Sequence, residues 1–185
     1  MIGYALCGSF CTLSRSIEQL ERLCEKYEVV PIMSETAAST DSRFGSAAGF
    51  ATAVEKLTGK RIINTVKDAE PLGPSNSLDA LIISPCTGNT LAKLALGITD
   101  TSVTMAAKAH QRNGGLLLIA LATNDGLSAN LKNIATMLNK KNVFFVPLQQ
   151  DDPVSKPSSL VADFSLTGKA LDAAIEGKQI RPLFR

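Results

Sequence analysis

The residues best suited to chemistry fall in three short segments rich in glycine, hydroxyl and amide groups. These are Gly8-Ser9-Phe10-Cys11-Thr12, Ser34-Glu35-Thr36-Ala37-Ala38-Ser39-Thr40 and Ser84-Pro85-Cys86-Thr87-Gly88-Asn89-Thr90. In the first, the glycine lets backbone approach a ligand closely, and the hydroxyls and free amides that open a helix can hold a phosphate. The same Gly-Ser turn is also an ordinary helix cap, and the segment alone does not choose between the two. It is neither a G-x-G-x-x-G dinucleotide fingerprint nor a Walker P-loop. The second segment reads either as a solvated loop with a cap or as another wall of the same phosphate and polyol pocket, because successive strands ending in Ser/Thr place such groups side by side. In the third, a strand stops at Pro85, a small polar loop follows, and a helix begins near Thr90-Leu91-Ala92-Lys93, ahead of Gly97-Ile98-Thr99-Asp100. Several backbone amides and the Asn89 side chain at one spot suit the polar O2/N1 edge of a flavin ring, which becomes electron-rich on reduction.

Other reactive types are sparse. Cys7, Cys11, Cys24 and Cys86 read as reduced thiols, since a chain of 185 residues with its own core needs no disulfide staple. Three residues separate Cys7 from Cys11, with no histidine pair or second cysteine pair, so no metal site is expected. Cys86 is either a reactive thiol or a small buried hydrophobe. His110, in Ala106-Ala107-Lys108-Ala109-His110, reads as a surface or interface residue, with a catalytic base as the sharper alternative.

These segments need elements to position them. Ile2 to Cys7 is an apolar run ending in Gly8-Ser9, hence a buried strand and a tight turn. Ile17, Leu20, Leu23 and Cys24 then recur at helical spacing opposite Glu18, Glu21, Arg22 and Glu25, and Val29 to Met33 is a second strand. This is a βαβ unit. Further along, 44–57 reads as helix, 61–64 as a short strand candidate, 68–77 as loop, 79–84 as strand, and 90–97 and 101–112 as two helices. Leu116 to Ala122 is a continuous apolar strand, 127–139 a helix, 143–147 a strand and 166–176 a closing helix. Strands alternating with helices imply an α/β fold. The expected form is a three-layer, doubly wound (Rossmann/flavodoxin-like) parallel sheet in a single domain, residues 1–185, with ligands at the carboxyl ends of the strands.

Composition excludes other classes. The 45% hydrophobic content supports one substantial core, and 19 basic against 17 acidic residues, without a basic run, gives no support for nucleic-acid binding. No apolar stretch approaches the roughly 20 residues of a membrane span, and the first residues lack a signal-peptide pattern. A cytoplasmic protein is expected.

Pro85-Cys86-Thr87-Gly88-Asn89-Thr90, followed by Leu91-Ala92-Lys93-Leu94 and Gly97-Ile98-Thr99-Asp100, resembles the flavin loop of one flavoprotein family. That family includes the cysteine-peptide and phosphopantothenoylcysteine decarboxylases and the flavin prenyltransferases. The resemblance runs the length of the chain, and 151–162 points to a branch that takes part in making pyridine-2,6-dicarboxylate for bacterial spores. It implies FMN rather than FAD, a homo-oligomer built on trimers, and a separate partner chain of NAD(P) type. By position it implies a phosphate site at Gly8, Ser9 and Phe10, and a hydroxyl at Ser34. It further implies a ring-edge loop at Pro85, Thr87, Gly88, Asn89 and Thr90, and a cofactor contact at Thr104.

The chain also departs from that family. The histidine that the cysteine decarboxylases carry before the ring-edge loop is missing, and their Met-Asn substrate clamp is reduced to Thr123-Asn124-Asp125-Gly126. The basic residues that bind an isoprenyl phosphate correspond to Asn89, Met105 and Thr123. What remains is flavin oxidation of a dihydropyridine dicarboxylate, which gains aromaticity, with positioning supplying most of the catalysis. Arg43, Lys108 and Arg112 are candidate partners for the small dicarboxylate, and equally readable as solvated charges. Asn89, Lys108 and His110 are the candidates for a catalytic role. Alternatives are a flavin-dependent decarboxylase or transferase on another small acid, and a non-catalytic, regulatory component that supports the partner chain.

Overall fold

The structure is a computed structural model and describes residues 1–75 and 77–185; Asn76, within the loop expected at 68–77, lies outside the described residues. Its sheet runs β2 (Val29–Met33), β1 (Ile2–Leu6), β3 (Ala80–Cys86), β4 (Leu116–Thr123), β5 (Val143–Phe145), all parallel. Register is direct: Ala5 pairs with both Ile32 and Ile83, and Ile83 with Ile119. Every residue of β1 and β3 is buried, as expected where helices cover both faces of a parallel sheet. The covering helices are α1 (Leu13–Cys24), α3 (Ala47–Thr58), α5 (Gly88–Leu96), α6 (Ser102–Gln111), α7 (Leu131–Leu138) and α8 (Thr167–Ile175), with short turns α2 (Glu35–Ser39) and α4 (Val66–Ala69) between them. Leu6, Leu81, Ile82, Ile119 and Leu121 are fully buried, and each such side chain contributes about 1.5–3 kcal/mol by leaving water.

One polar chain crosses this core directly below the strand ends. The Tyr4 hydroxyl donates to the Ser16 carbonyl at 2.8 Å, and the Ser16 hydroxyl donates to the Ser84 carbonyl, tying β1 to α1 and β3. Burial pushes the Tyr4 phenol up to about 12, so it remains a donor at any working pH.

Several boundaries differ from the sequence reading, each for a local reason. The helix expected from Phe44 starts at Ala47, because Gly45 has φ 148° and the Ser46 hydroxyl accepts the Gly49 N–H, making Ser46 the cap. The strand expected at 61–64 is reduced to one bridge between Ile63 and Ile32. Within 68–77 a 3-10 turn, Glu70–Leu72, follows α4. The helix expected from Leu127 begins at Leu131, after a turn in which the Ser128 and Asn130 N–H groups both donate to the Asp125 carbonyl. A hairpin of β6 (Leu148–Gln149) and β7 (Leu160–Ala162) is absent from the sequence reading; β7 pairs antiparallel with Ala122 and Thr123, extending the sheet past the end of β4.

Candidate functional site

From β1 the chain crosses to β2 on one side of the sheet, then returns to β3 on the other, so the carboxyl ends of β1 and β3 face a crevice where the helices diverge. This switch point is the ligand position of doubly wound sheets. A cleft of about 380 Å³ occupies it, lined by Gly8, Ser9 and Phe10 after β1, Thr87 and Gly88 after β3, and Thr123 and Asn124 at the end of β4. Cys11, Ala122, Arg43 and Phe44 complete it, with the Arg43 guanidinium 4.9 Å above the Phe44 ring centroid.

The β3 loop is held from behind. The Thr87 hydroxyl accepts the Thr90 N–H at 3.1 Å, capping α5 and turning that helix's amino end, with its positive dipole, to the cleft. Thr87 also donates to the Thr90 hydroxyl, which donates to the Cys7 sulfur at 3.3 Å, so the ends of β1 and β3 are tied together. The Cys7 N–H donates to the Pro85 carbonyl at 3.1 Å, and the Ser84-Pro85 peptide is cis. Burial pushes the Cys7 thiol up to about 11 and the Cys86 thiol well above its usual value, so neither is a nucleophile; Cys86 is the small hydrophobe.

Gly88 is sterically required. A Cβ there would overlap the Thr123 hydroxyl and stand 2.5 Å from Asn130 Nδ2. Both belong to a network in which the Asp125 carboxylate accepts from Thr123 Oγ1 at 2.5 Å and Asn130 Nδ2 at 2.8 Å, while Asn133 Nδ2 donates to Asn130 Oδ1 at 2.8 Å. The Thr123 hydrogen bond, followed by that from Asn130, holds the Asp125 carboxyl below its ordinary range.

The remaining sequence candidates sit elsewhere. Ser34 is buried, its hydroxyl accepting the Ala37 N–H at 3.2 Å as the cap of α2, which is the blander of its two readings. Pro85 and Thr90 are buried behind the cleft, and Asn89 is exposed on the first turn of α5, outside the residues that line it. Thr104 is fully buried in a reciprocal capping box with Thr101. Thr104, Lys108 and Arg112 border a different cavity of about 350 Å³, with Gly97, Ile98 and Lys140. His110 corrects the surface reading: it is 3% exposed, its Nε2 lies 3.0 Å from the Leu116 carbonyl, and Leu116 begins β4 at the opposite edge of the sheet. Burial lowers its pKa, so its ring is neutral and structural.

Sequence reasoning missed Phe44 as a wall of the cleft and used Thr123 and Asn124 only as departures from the family's substrate-clamp and prenyl-phosphate positions. The signal was present, since Thr123 ends the most apolar strand, β4, and Asn124 follows it. It gave no signal for Arg15 and Lys156, which border an adjoining cavity.

Residues 1–170 match the family described as Flavoprotein. The B subunit of dipicolinate synthase from Bacillus subtilis (strain 168) is 41% identical over 183 residues, covering 98% of this chain and 92% of that protein. The crystal structure of the corresponding B subunit from Bacillus halodurans C superposes with a TM-score of 0.91 at 37% identity, over 100% of this chain and 95% of that one. The FMN-dependent cysteine decarboxylase SpaF shares the fold, with a TM-score of 0.72 at 20% identity over 95% of each chain. With its strand-end cleft and a family match across most of its length, this chain belongs to the flavoprotein family.

Proposed function

We propose that this chain is the FMN-binding subunit of a dipicolinate synthase. In this reading it takes part in oxidising a dihydrodipicolinate-type intermediate to pyridine-2,6-dicarboxylate during sporulation, in the cytoplasm. The observation that carries the reading is the meeting of Gly8, Ser9 and Phe10 with Thr87 and Gly88 in one switch-point cleft, in a chain 41% identical to a synthase component of that kind.

The lining fits FMN chemically. Phe44 offers an apolar face to a flat ring, the hydroxyls of Ser9, Thr87 and Thr123 and the amide of Asn124 offer polar partners, and Arg43 can meet a phosphate. The volume lies within the roughly 300–1,000 Å³ of small-molecule sites. In this reading Gly8, Ser9 and Phe10 hold the phosphate end, and Thr87, Gly88 and Asn89 the ring edge. Pro85 and Thr90 support that loop from behind, and Ser34 and Thr104 act through the helices they cap.

The chemistry that FMN supplies when bound is two-electron acceptance, and a dihydropyridine dicarboxylate becomes aromatic by losing two electrons and two protons. The amino end of α5, capped by Thr87, stabilises negative charge at the ring edge. The cleft walls orient the substrate and exclude water, so positioning accounts for most of the rate. The chain works with the A subunit of dipicolinate synthase, of NAD(P) type, and assembles as a homo-oligomer built on trimers.

The test is a visible spectrum of purified protein incubated with FMN and passed through gel filtration. About one FMN retained per chain is expected for a single pocket. The flavin-loaded protein, mixed with its NAD(P)-type partner, should then oxidise a dihydropyridine dicarboxylate without loss of carbon dioxide; a decarboxylated product would sink the oxidation scheme. Among the described residues lining the cleft there is no carboxylate or imidazole, which favours a second reading, a non-catalytic chain that stabilises that partner. Full-rate dipicolinate formation by the partner alone would select that reading. Asn89→Ala isolates the exposed amide: unchanged flavin affinity and potential would remove Asn89 from the site.

A further inference from the structure

Past Ser9, Cys11, Ala122, Thr123 and Asn124, the cleft borders a second cavity of about 230 Å³ that shares those residues as lining. Its other walls are Thr12 and Arg15 at the start of α1, and Asp151, Lys156 and Ser159 from the loop of the β6–β7 hairpin. A ligand in one cavity therefore lies against a ligand in the other.

Two cations from separate elements border this space. The Arg15 guanidinium sits 5.2 Å from the centroid of the Phe164 ring, itself 1% exposed and so a fixed wall. Among the described residues Arg15 has no carboxylate partner. Lys156 pairs with Asp151 at 3.0 Å. Its loop is anchored, because the Ser159 hydroxyl donates to the Thr123 carbonyl at 3.2 Å, Gln150 Nε2 donates to the Pro157 carbonyl at 2.9 Å, and the Leu127 N–H donates to the Ser158 carbonyl at 2.9 Å. With two cations against one carboxylate, the Ser9 hydroxyl, whose own proton is not engaged among the described residues, and the amide of Asn124, the lining suits a small acid. Its volume is below the roughly 300–1,000 Å³ of drug-sized ligands.

We propose that this second cavity binds the carboxylates of a small dicarboxylic acid substrate beside the cofactor cleft, with Arg15 as the principal anchor and Lys156 as the second. The inference rests on the flavin reading of the adjoining cleft and assigns its substrate contacts. Of the cations that the sequence offers for the substrate, Arg43 borders the cleft, whereas Lys108 and Arg112 border the α5–α6 cavity. Arg15 leads because a guanidinium offers paired N–H groups to a carboxylate and, among the described residues, none of the ion pairs involves it. Asp151 competes with any bound anion for Lys156.

Calorimetric titration of pyridine-2,6-dicarboxylate into FMN-loaded protein tests this, with pyridine as the uncharged control. Arg15→Gln should weaken the diacid about tenfold or more while FMN retention per chain stays at the unmutated value. Lys156→Gln should weaken it less, Asp151→Asn should tighten it, and Arg15→Lys should restore part of the loss. Unaltered diacid affinity in Arg15→Gln overturns the proposal. So does loss of FMN in that variant, which would place Arg15 in the cofactor site, and so does failure of the unmutated protein to bind the diacid. If the unmutated protein takes up no FMN yet binds the diacid in an Arg15-dependent way, the cavity assignment stands and the flavin reading falls.

Discussion

The two edges of the parallel sheet carry cavities of similar make-up and opposite character. At the amino edge a space of about 590 Å³ is bordered by Ile2, Tyr27, Gly115, Leu116, Asn142 and Ile175. Two of its polar side chains are already engaged within the chain: Asn142 Nδ2 donates to the Gly114 carbonyl at 2.6 Å, and Asp79, also on its border, pairs with the amino-terminal ammonium. The Leu116 carbonyl on its rim is met by His110. At the carboxyl edge the smaller cleft and its annex are bordered by Arg15, Arg43 and Asn124, whose side chains have no hydrogen-bond or carboxylate partner among the described residues. Cavity size is thus a poor guide to function. In a parallel sheet the amino ends of the helices meet the carboxyl ends of the strands, so unsatisfied amides and positive dipoles accumulate at that edge alone.

The sharpest way to break this comparison is to crowd one glycine at each edge. Gly88→Ala should cost about 2–3 kcal/mol in urea unfolding, because its new Cβ meets the Thr123–Asp125–Asn130 network, and FMN should no longer survive gel filtration. Gly115→Ala puts a Cβ 2.6 Å from His110 Cδ2 and closer to other ring atoms, and should cost about 1–3 kcal/mol with full FMN retention. Loss of flavin in both variants would erase the distinction between the edges.

His110→Phe should destabilise by about 1–2 kcal/mol at neutral pH, by leaving the Leu116 carbonyl unpaired, without changing flavin content. It should also change the acid limb of stability. The folded-state pKa of His110 lies below 6.5, so the unfolded chain takes up the proton first, and stability falls as pH drops from about 6.5 toward the lowered value. Thermal melts of the Phe variant should lack that slope; an unchanged slope would assign it to other groups.

Asp125→Asn should cost about 1 kcal/mol and weaken FMN several-fold, since Thr123 and Asn130 lose a charged acceptor beneath Gly88. The Asp125 contribution is present at neutral pH and disappears only as pH falls through its lowered folded-state pKa, below 3.8. The smallest functional effect is expected for Ser34→Ala, which removes the α2 cap at about 1 kcal/mol while FMN affinity stays within about twofold. A large loss of affinity there would move Ser34 from cap to ligand.

What the sequence by itself determined was local. Apolar runs such as Ile2 to Cys7 and Leu116 to Ala122 must be buried strands, the Ser34 and Thr87 hydroxyls that follow β2 and β3 cap the next helices, and the order of elements makes a doubly wound sheet whose crevice holds Gly8, Ser9, Thr87 and Gly88. These follow from hydrophobic periodicity and from the backbone demands of helix ends, which act over a few residues. Only the tertiary structure decided the rest. It left Asn89 exposed on the first turn of α5, buried His110 against β4 at the sheet edge opposite the cleft, and sent Lys108 and Arg112 to another cavity. It also paired two short strands over the end of β4, bringing Lys156 into the same cavity as Arg15, 141 positions earlier (156 − 15). Such meetings depend on strand register and on the face each helix buries, both set by the packing of the whole chain rather than by neighbours in sequence.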